Sequence, residues 1–105
     1  MDRSALEQRW FALTRTVMPA LAAGRGWPVR FDHCFQRILL DNAAGGPWRE
    51  QVAPPAWRNA SDALLARAVA LGEGAVAGSV DLAALNQASL RWRGRLRPVH
   101  PARGG

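Results

Sequence analysis

A chain of 105 residues, 49% apolar and 21% charged, has enough material for one modest core; this excludes a second domain and an intrinsically disordered body. The formal charge of +6 is unevenly spread, because residues 91–105 hold five Arg and no acid, while residues 1–90 hold nine Arg against eight acids. All fourteen cations are Arg, a bias that a GC-rich genome produces as readily as phosphate contact does. No run approaches the roughly 18 apolar residues of a membrane span, the single Cys excludes an internal disulfide, and the first residues lack a signal peptide's apolar region, so a soluble cytoplasmic protein is expected.

In chain order, Ser4-Ala5-Leu6-Glu7 reads as a capping box opening the first helix, with Leu6, Trp10, Leu13 and Val17 at helical spacing. Pro19 removes a backbone donor and disfavours helical dihedrals at Met18, so a kink or a new start is expected near Val17. Gly24-Arg25-Gly26 closes this segment, and Trp27-Pro28-Val29-Arg30 is an extended connector.

The centre of the chain is Phe31–Trp48. At a helical period Phe31, Cys34, Phe35, Ile38 and Asn42 share a core face, while His33, Arg37 and Asp41 form a polar stripe. Asp32 is either the N-cap or a first-turn anion, and Gly45-Gly46-Pro47 stops the helix. A short helix is expected after Trp48, before Pro54-Pro55 forces the backbone extended. Asn59 or Ser61 caps the next helix, whose buried stripe is Leu65, Val69, Gly72 and Val76; glycines in its second half imply fraying or close packing. Asp81 caps a last helix with Leu82, Leu85, Ser89 and Trp92 inward, closing at Gly94. The expectation is an all-α bundle of four main helices plus a short one in a single domain, residues 1–94, followed by a flexible, disordered basic tail, 95–105.

Four constellations carry possible chemistry. Asp32-His33-Cys34 places a thiol in a helix's first turn, where the dipole could activate it; the alternative is that Cys34 is a small buried hydrophobe. The stripe His33, Arg37 and Asp41, extended by Asn42 and Arg49, aligns groups that could hold an anionic ligand; alternatively, Arg37 and Asp41 pair with each other on a solvated face. Among five tryptophans, Trp10 and Trp92 fit core faces, whereas Trp27, Trp48 and Trp57 stand in connectors beside Pro or Gly and could line an aromatic pocket. Finally, Arg91, Arg93, Arg95 and Arg97, with Trp92 among them, suit phosphate contact with RNA or DNA, or are a solvated tail. No metal-ligand spacing and no cofactor motif is evident.

The stretch from Trp27 to Ser61, with LLARAVALGEGAVAG and DLAALNQASLRWRG downstream, resembles small stand-alone bacterial proteins that often carry a GNAT-type N-acetyltransferase label. That resemblance implies acyl transfer, yet the coenzyme A loop of GNAT domains, Arg/Gln-x-x-Gly-x-Gly/Ala, is absent, and no GNAT catalytic residue maps onto this chain. The leading expectation is a small helical binding or accessory module, centred on helix 31–42 and turn 45–48, for a small anionic ligand or a protein partner. Acyltransferase chemistry and nucleic-acid binding through the Arg-rich C-terminus are the alternatives.

Overall fold

The first helix, α1 (Arg3–Ala12), is capped by Asp2, whose carboxylate accepts the Ser4 N–H at 3.3 Å. The expected Ser4–Glu7 capping box therefore does not form. Glu7 instead accepts from Arg3 Nε at 3.0 Å, and Arg3 reaches on to Asp62 at 2.7 Å and to the Trp57 carbonyl at 2.8 Å. These contacts belong to a computed structural model that describes residues 2–94; the expected tail, 95–105, lies outside the described residues.

The irregularity expected near Val17 is a π-helical turn, Leu13–Val17, in which Met18 N–H bonds the carbonyl of Leu13, five residues back. A new α-helical segment, α2 (Met18–Arg25), then starts at Met18 with Pro19 in its first turn. A wider turn takes up the missing donor and the proline ring, which would otherwise press on the carbonyl four residues before it.

Helix α3 (Asp32–Ala44) buries Phe35, Ile38, Leu39 and Leu40. Phe31 is its N-cap, so Asp32 takes the first-turn role, accepting the His33 N–H at 2.8 Å. Phe31 was expected on the core face but is 65% exposed and stacks on the His33 ring, because a cap residue leaves the helical path before the core face begins. Gly45 ends α3 in the left-handed region at φ 77°, and its N–H and that of Gly46 both return to the Asp41 carbonyl.

Trp48–Glu50 forms only a 3-10 turn, and the short helix lies beyond the proline pair as α4 (Ala56–Asn59). The proline pair was expected to be extended, but Pro54 lies in a bend and is joined to Pro55 by a cis peptide bond, and helical geometry resumes only after Pro55. Helix α5 (Asp62–Ala77) is capped by Ser61 Oγ, which accepts the Leu64 N–H at 3.1 Å. Helix α6 (Leu82–Trp92) is capped by Asp81, which accepts from Ala83 and Ala84.

The described residues are thus all-α, with four long helical runs, one short helix and a 3-10 turn, and no strand. Helices α3 and α5 form the centre: α3 packs against α5, α6 and the π turn, and α5 also packs against α1. Gly72 permits this. A Cβ there would lie 2.4 Å from Leu13 Cδ2 and 2.9 Å from Leu39 Cδ1, so α5 approaches the π turn and α3 so closely that a side chain at this position would require Leu13 and Leu39 to shift. Among the described residues, no helix is long and apolar enough to cross a membrane.

Candidate functional site

The polar residues of α3 divide into two groups that their even spacing did not separate. Asp41 is fully buried, although it belonged to the stripe expected to face solvent. Its carboxylate accepts four hydrogen bonds: Arg93 Nε at 2.6 Å and Ser89 Oγ at 2.6 Å on one oxygen, Arg93 Nη2 at 2.9 Å and the Trp48 N–H at 2.9 Å on the other. The expected Arg37–Asp41 pair is replaced by Arg93–Asp41, because Arg93, at the end of α6, presents both guanidinium nitrogens as a fork. Burial alone would raise the Asp41 pKa, but the hydrogen bonds from Arg93, Ser89 and Trp48, together with the Arg93 charge, outweigh it and hold the carboxyl below its ordinary 3.8. Arg93 is raised in turn, first by its hydrogen bond to Asp41, against the opposing effect of burial.

Arg37 crosses to α6, donating to Ser89 Oγ at 2.7 Å and to Asn86 Oδ1 at 2.9 Å. Ser89 therefore relays between Arg37 and Asp41. This places Asn86 and Ser89 on the inward face of α6 and turns Trp92 outward to 40% exposure, correcting its expected core position. Asn42 bonds the carbonyls of Ile38 and Leu85 at 2.8 and 2.9 Å, a helix-to-helix tie that takes it away from any binding role.

Above this network lies a half-open groove of about 680 Å³. Helix α3 lines it with His33, Cys34, Gln36, Arg37 and Leu40. Trp48 and Arg49 of the 3-10 turn, the segment from Pro54 to Trp57, Trp10 of α1, and Leu90 and Arg93 complete the lining. Five expected ligand-binding residues, His33, Arg37, Trp48, Arg49 and Trp57, thus line one groove, while Asp41 and Asn42 do not line it. None of the lining residues is Asp or Glu. Glu50 stands near enough to contribute to raising Arg93.

Aromatic side chains line the groove or touch residues that do. The Arg49 guanidinium carbon is 5.3 Å from the Trp48 ring centroid, and that of Arg58 is 5.2 Å from Trp57. Phe11 meets Trp57 edge-on at 5.6 Å and carries Arg15 at 4.0 Å. On the α3 side the Phe31 and His33 rings are nearly parallel, with an interplanar angle of 4° and centroids 5.9 Å apart. Trp27, the third connector tryptophan, instead packs edge-on against Phe35 at 5.7 Å and supports the core.

Cys34 is half-buried in the groove wall, so it is not the fully buried hydrophobe that its helical face suggested. Among the described residues, no three His, Cys, Asp or Glu side chains cluster so as to hold a metal ion. Of the four arginines assigned to nucleic acid, Arg91 is exposed, Arg93 is committed to Asp41, and Arg95 and Arg97 lie outside the described residues. Sequence reasoning missed Ser89 and Asn86 as partners, Gln36, and the proline pair as a groove wall. The signal for the first two was present, because polar residues on an otherwise apolar helix face require partners from a neighbouring helix. Compared with protein-family models, curated proteins and solved structures, the chain matches none.

Proposed function

We propose that this protein is a small helical binding module whose groove takes an anionic ligand with a planar apolar part. The observation that carries this reading is the convergence of Arg49 and His33 with Trp48 and Trp57 around one half-open groove that no acidic side chain lines, with Arg37 and Arg93, each already bonded within the bundle, adding positive charge to its lining. Arginine contributes a planar fork for a carboxylate or phosphate, and a half-buried tryptophan contributes a flat apolar face, so the pair recognises charge and ring together. A volume of about 680 Å³ falls within the range of small-ligand pockets. The polar network beneath favours the same reading, because Asp41 fixes the Trp48 backbone and the Arg93 side chain, which leaves little of the groove lining to be reorganised when a ligand arrives.

The five tryptophans supply the test, since each indole N–H gives its own nitrogen-correlated NMR signal. Titration with 1-naphthyl phosphate should move the Trp48 and Trp57 signals and leave Trp92 in place, whereas neutral 1-naphthalenemethanol should bind at least tenfold more weakly. Arg49→Ala should weaken the aryl phosphate and not the alcohol. Equal binding of the two compounds, or shifts confined to Trp92, would refute the reading.

A further inference from the structure

We infer that Gln36 selects the groove's ligand by its ring, and that this ring carries an uncharged N–H donor; the inference rests on the binding reading above and names the ligand class as an anion bearing an aminated heterocycle, such as a nucleoside monophosphate with an amino base. Donors dominate the lining. Arg37, Arg49 and Arg93 and the indoles of Trp48 and Trp57 can only donate hydrogen bonds. Neutral His33 can accept, but its side chain is 78% exposed and stands in water, and the Cys34 thiol is a weak partner in either sense. Gln36 supplies the one side-chain carbonyl among the lining residues.

The orientation of that carboxamide is set from behind. Thr14, fully buried in the π turn, has a single hydroxyl hydrogen and donates it to the Trp10 carbonyl at 2.9 Å. Thr14 Oγ1 can therefore only accept from Gln36, so the contact of 3.0 Å between them must be made by the Gln36 amide nitrogen. With its N–H₂ held by Thr14, Gln36 keeps its carbonyl oxygen for a ligand, and among the described residues no donor satisfies that oxygen. The charge of the lining then decides what kind of donor it receives. An ammonium group would be repelled by a groove with three arginines and no acid. A ring hydroxyl fits poorly too, because neighbouring cations favour its ionised form, which has no proton to give. An amino group on a heteroaromatic ring stays uncharged and keeps its N–H, while the ring stacks on a tryptophan face and the anion meets Arg49. A groove of about 680 Å³ has room for a ligand of this size.

The test titrates the full chain with adenosine monophosphate and with purine riboside monophosphate, which lacks only the amino group, and follows the indole signals of Trp48 and Trp57. The amino compound should bind about three- to tenfold more tightly, the range of one net hydrogen bond. Gln36→Leu, which removes the carbonyl, should bring the two affinities together. Thr14→Val lies behind the groove lining and leaves the carbonyl in place, but frees the amide to turn, so it should reduce the ratio to below about twofold. A merely structural role for either residue would weaken both ligands alike and leave the ratio unchanged. Should one variant lose its fold, the other reads the same ratio. Equal affinities in the wild type, or the full ratio surviving in a folded variant, would overturn the inference. Binding of 1-naphthyl phosphate with no binding of adenosine monophosphate, or with no preference for the amino group, would overturn it while leaving the proposed function standing; loss of binding of both the aryl phosphate and the nucleotides would remove both.

Discussion

Replacing Asp41 by Asn tests whether the buried carboxylate organises one end of the bundle. The change keeps the shape but removes the charge and turns an N–H₂ donor toward groups that are themselves donors: the Arg93 fork, the Ser89 hydroxyl and the Trp48 N–H. Breaking a buried ion pair from one side typically costs about 3 to 5 kcal/mol. Asp41 is fully buried while the Arg93 side chain keeps 21% exposure, so the stranded guanidinium regains some water and the low end, about 3 kcal/mol, is expected. Against a total of about 5 to 15 kcal/mol for a small domain, that loss lowers the urea midpoint markedly and the melting temperature by roughly 10 to 20 °C. The pH dependence follows from the direction of the shift. Because the folded carboxyl titrates below its ordinary 3.8, its contribution is fully present above the unfolded value and is lost as pH falls through the folded one. Urea melts followed by tryptophan fluorescence should therefore show a gap between wild type and Asp41→Asn that is constant from neutral pH to about 4 and narrows below. A gap under about 1 kcal/mol at pH 7, or one that widens on acidification, would refute the assignment.

Further outcomes follow from the same geometry. Phe35→Ala, at a fully buried ring set edge-on against Trp27, should cost about 3 to 5 kcal/mol in chemical denaturation. Gly72→Ala gains up to about 1 kcal/mol of helix propensity but forces Leu13 and Leu39 to yield, so a net loss of about 1 to 2 kcal/mol is expected, and a gain in melting temperature would show that the contact gives way freely. Arg37→Ala would cost under about 1 kcal/mol on a solvated face; with Asn86 and Ser89 buried beneath it the expected loss is about 1 to 3 kcal/mol by the same melts. Cys34, half-buried in the groove wall, should react with a maleimide more slowly than a free thiol, and saturating 1-naphthyl phosphate should slow it further; unchanged labelling would place the ligand elsewhere.

The helices were legible because their signals are local. Ser61, Asp81 and Gly26 cap or end segments as their chemistry requires, and the stripe Phe35, Ile38, Leu65, Val69 and Gly72 is buried as its spacing demands. The π turn was not legible, because proline announces a perturbation and several backbone solutions satisfy it. Asp2 displaced Ser4 as cap since both residue types serve and a two-residue shift of the helix start decides between them. In the site, the period put His33, Arg37 and Asp41 on one polar stripe, of which His33 and Arg37 line the groove while Asp41 is buried. A helical wheel gives direction from the axis and not what stands opposite; here Arg93 and Ser89, some fifty residues downstream, decide the environment of Asp41. The flanking Leu39 and Leu40 were the available hint that the carboxylate enters the interior.

Helix α3 thus serves two purposes on adjacent faces, and this determines which residues can report on function without reporting on fold. Phe35, Ile38 and Leu39 make the core, while Asp41 and Arg37 fasten α3 to α6. A substitution at any of these alters groove and stability together, since Asp41 also holds the Trp48 N–H and Arg93. His33 and Arg49 differ. The His33 side chain is 78% exposed, and the exposed Arg49 lies over the neighbouring Trp48 ring, so both stand apart from the Asp41 network. Loss of binding in those two variants with unchanged melting would locate recognition on the groove's rim, whereas loss of binding only in variants that also melt early would mean that the buried network shapes the groove without its rim being read.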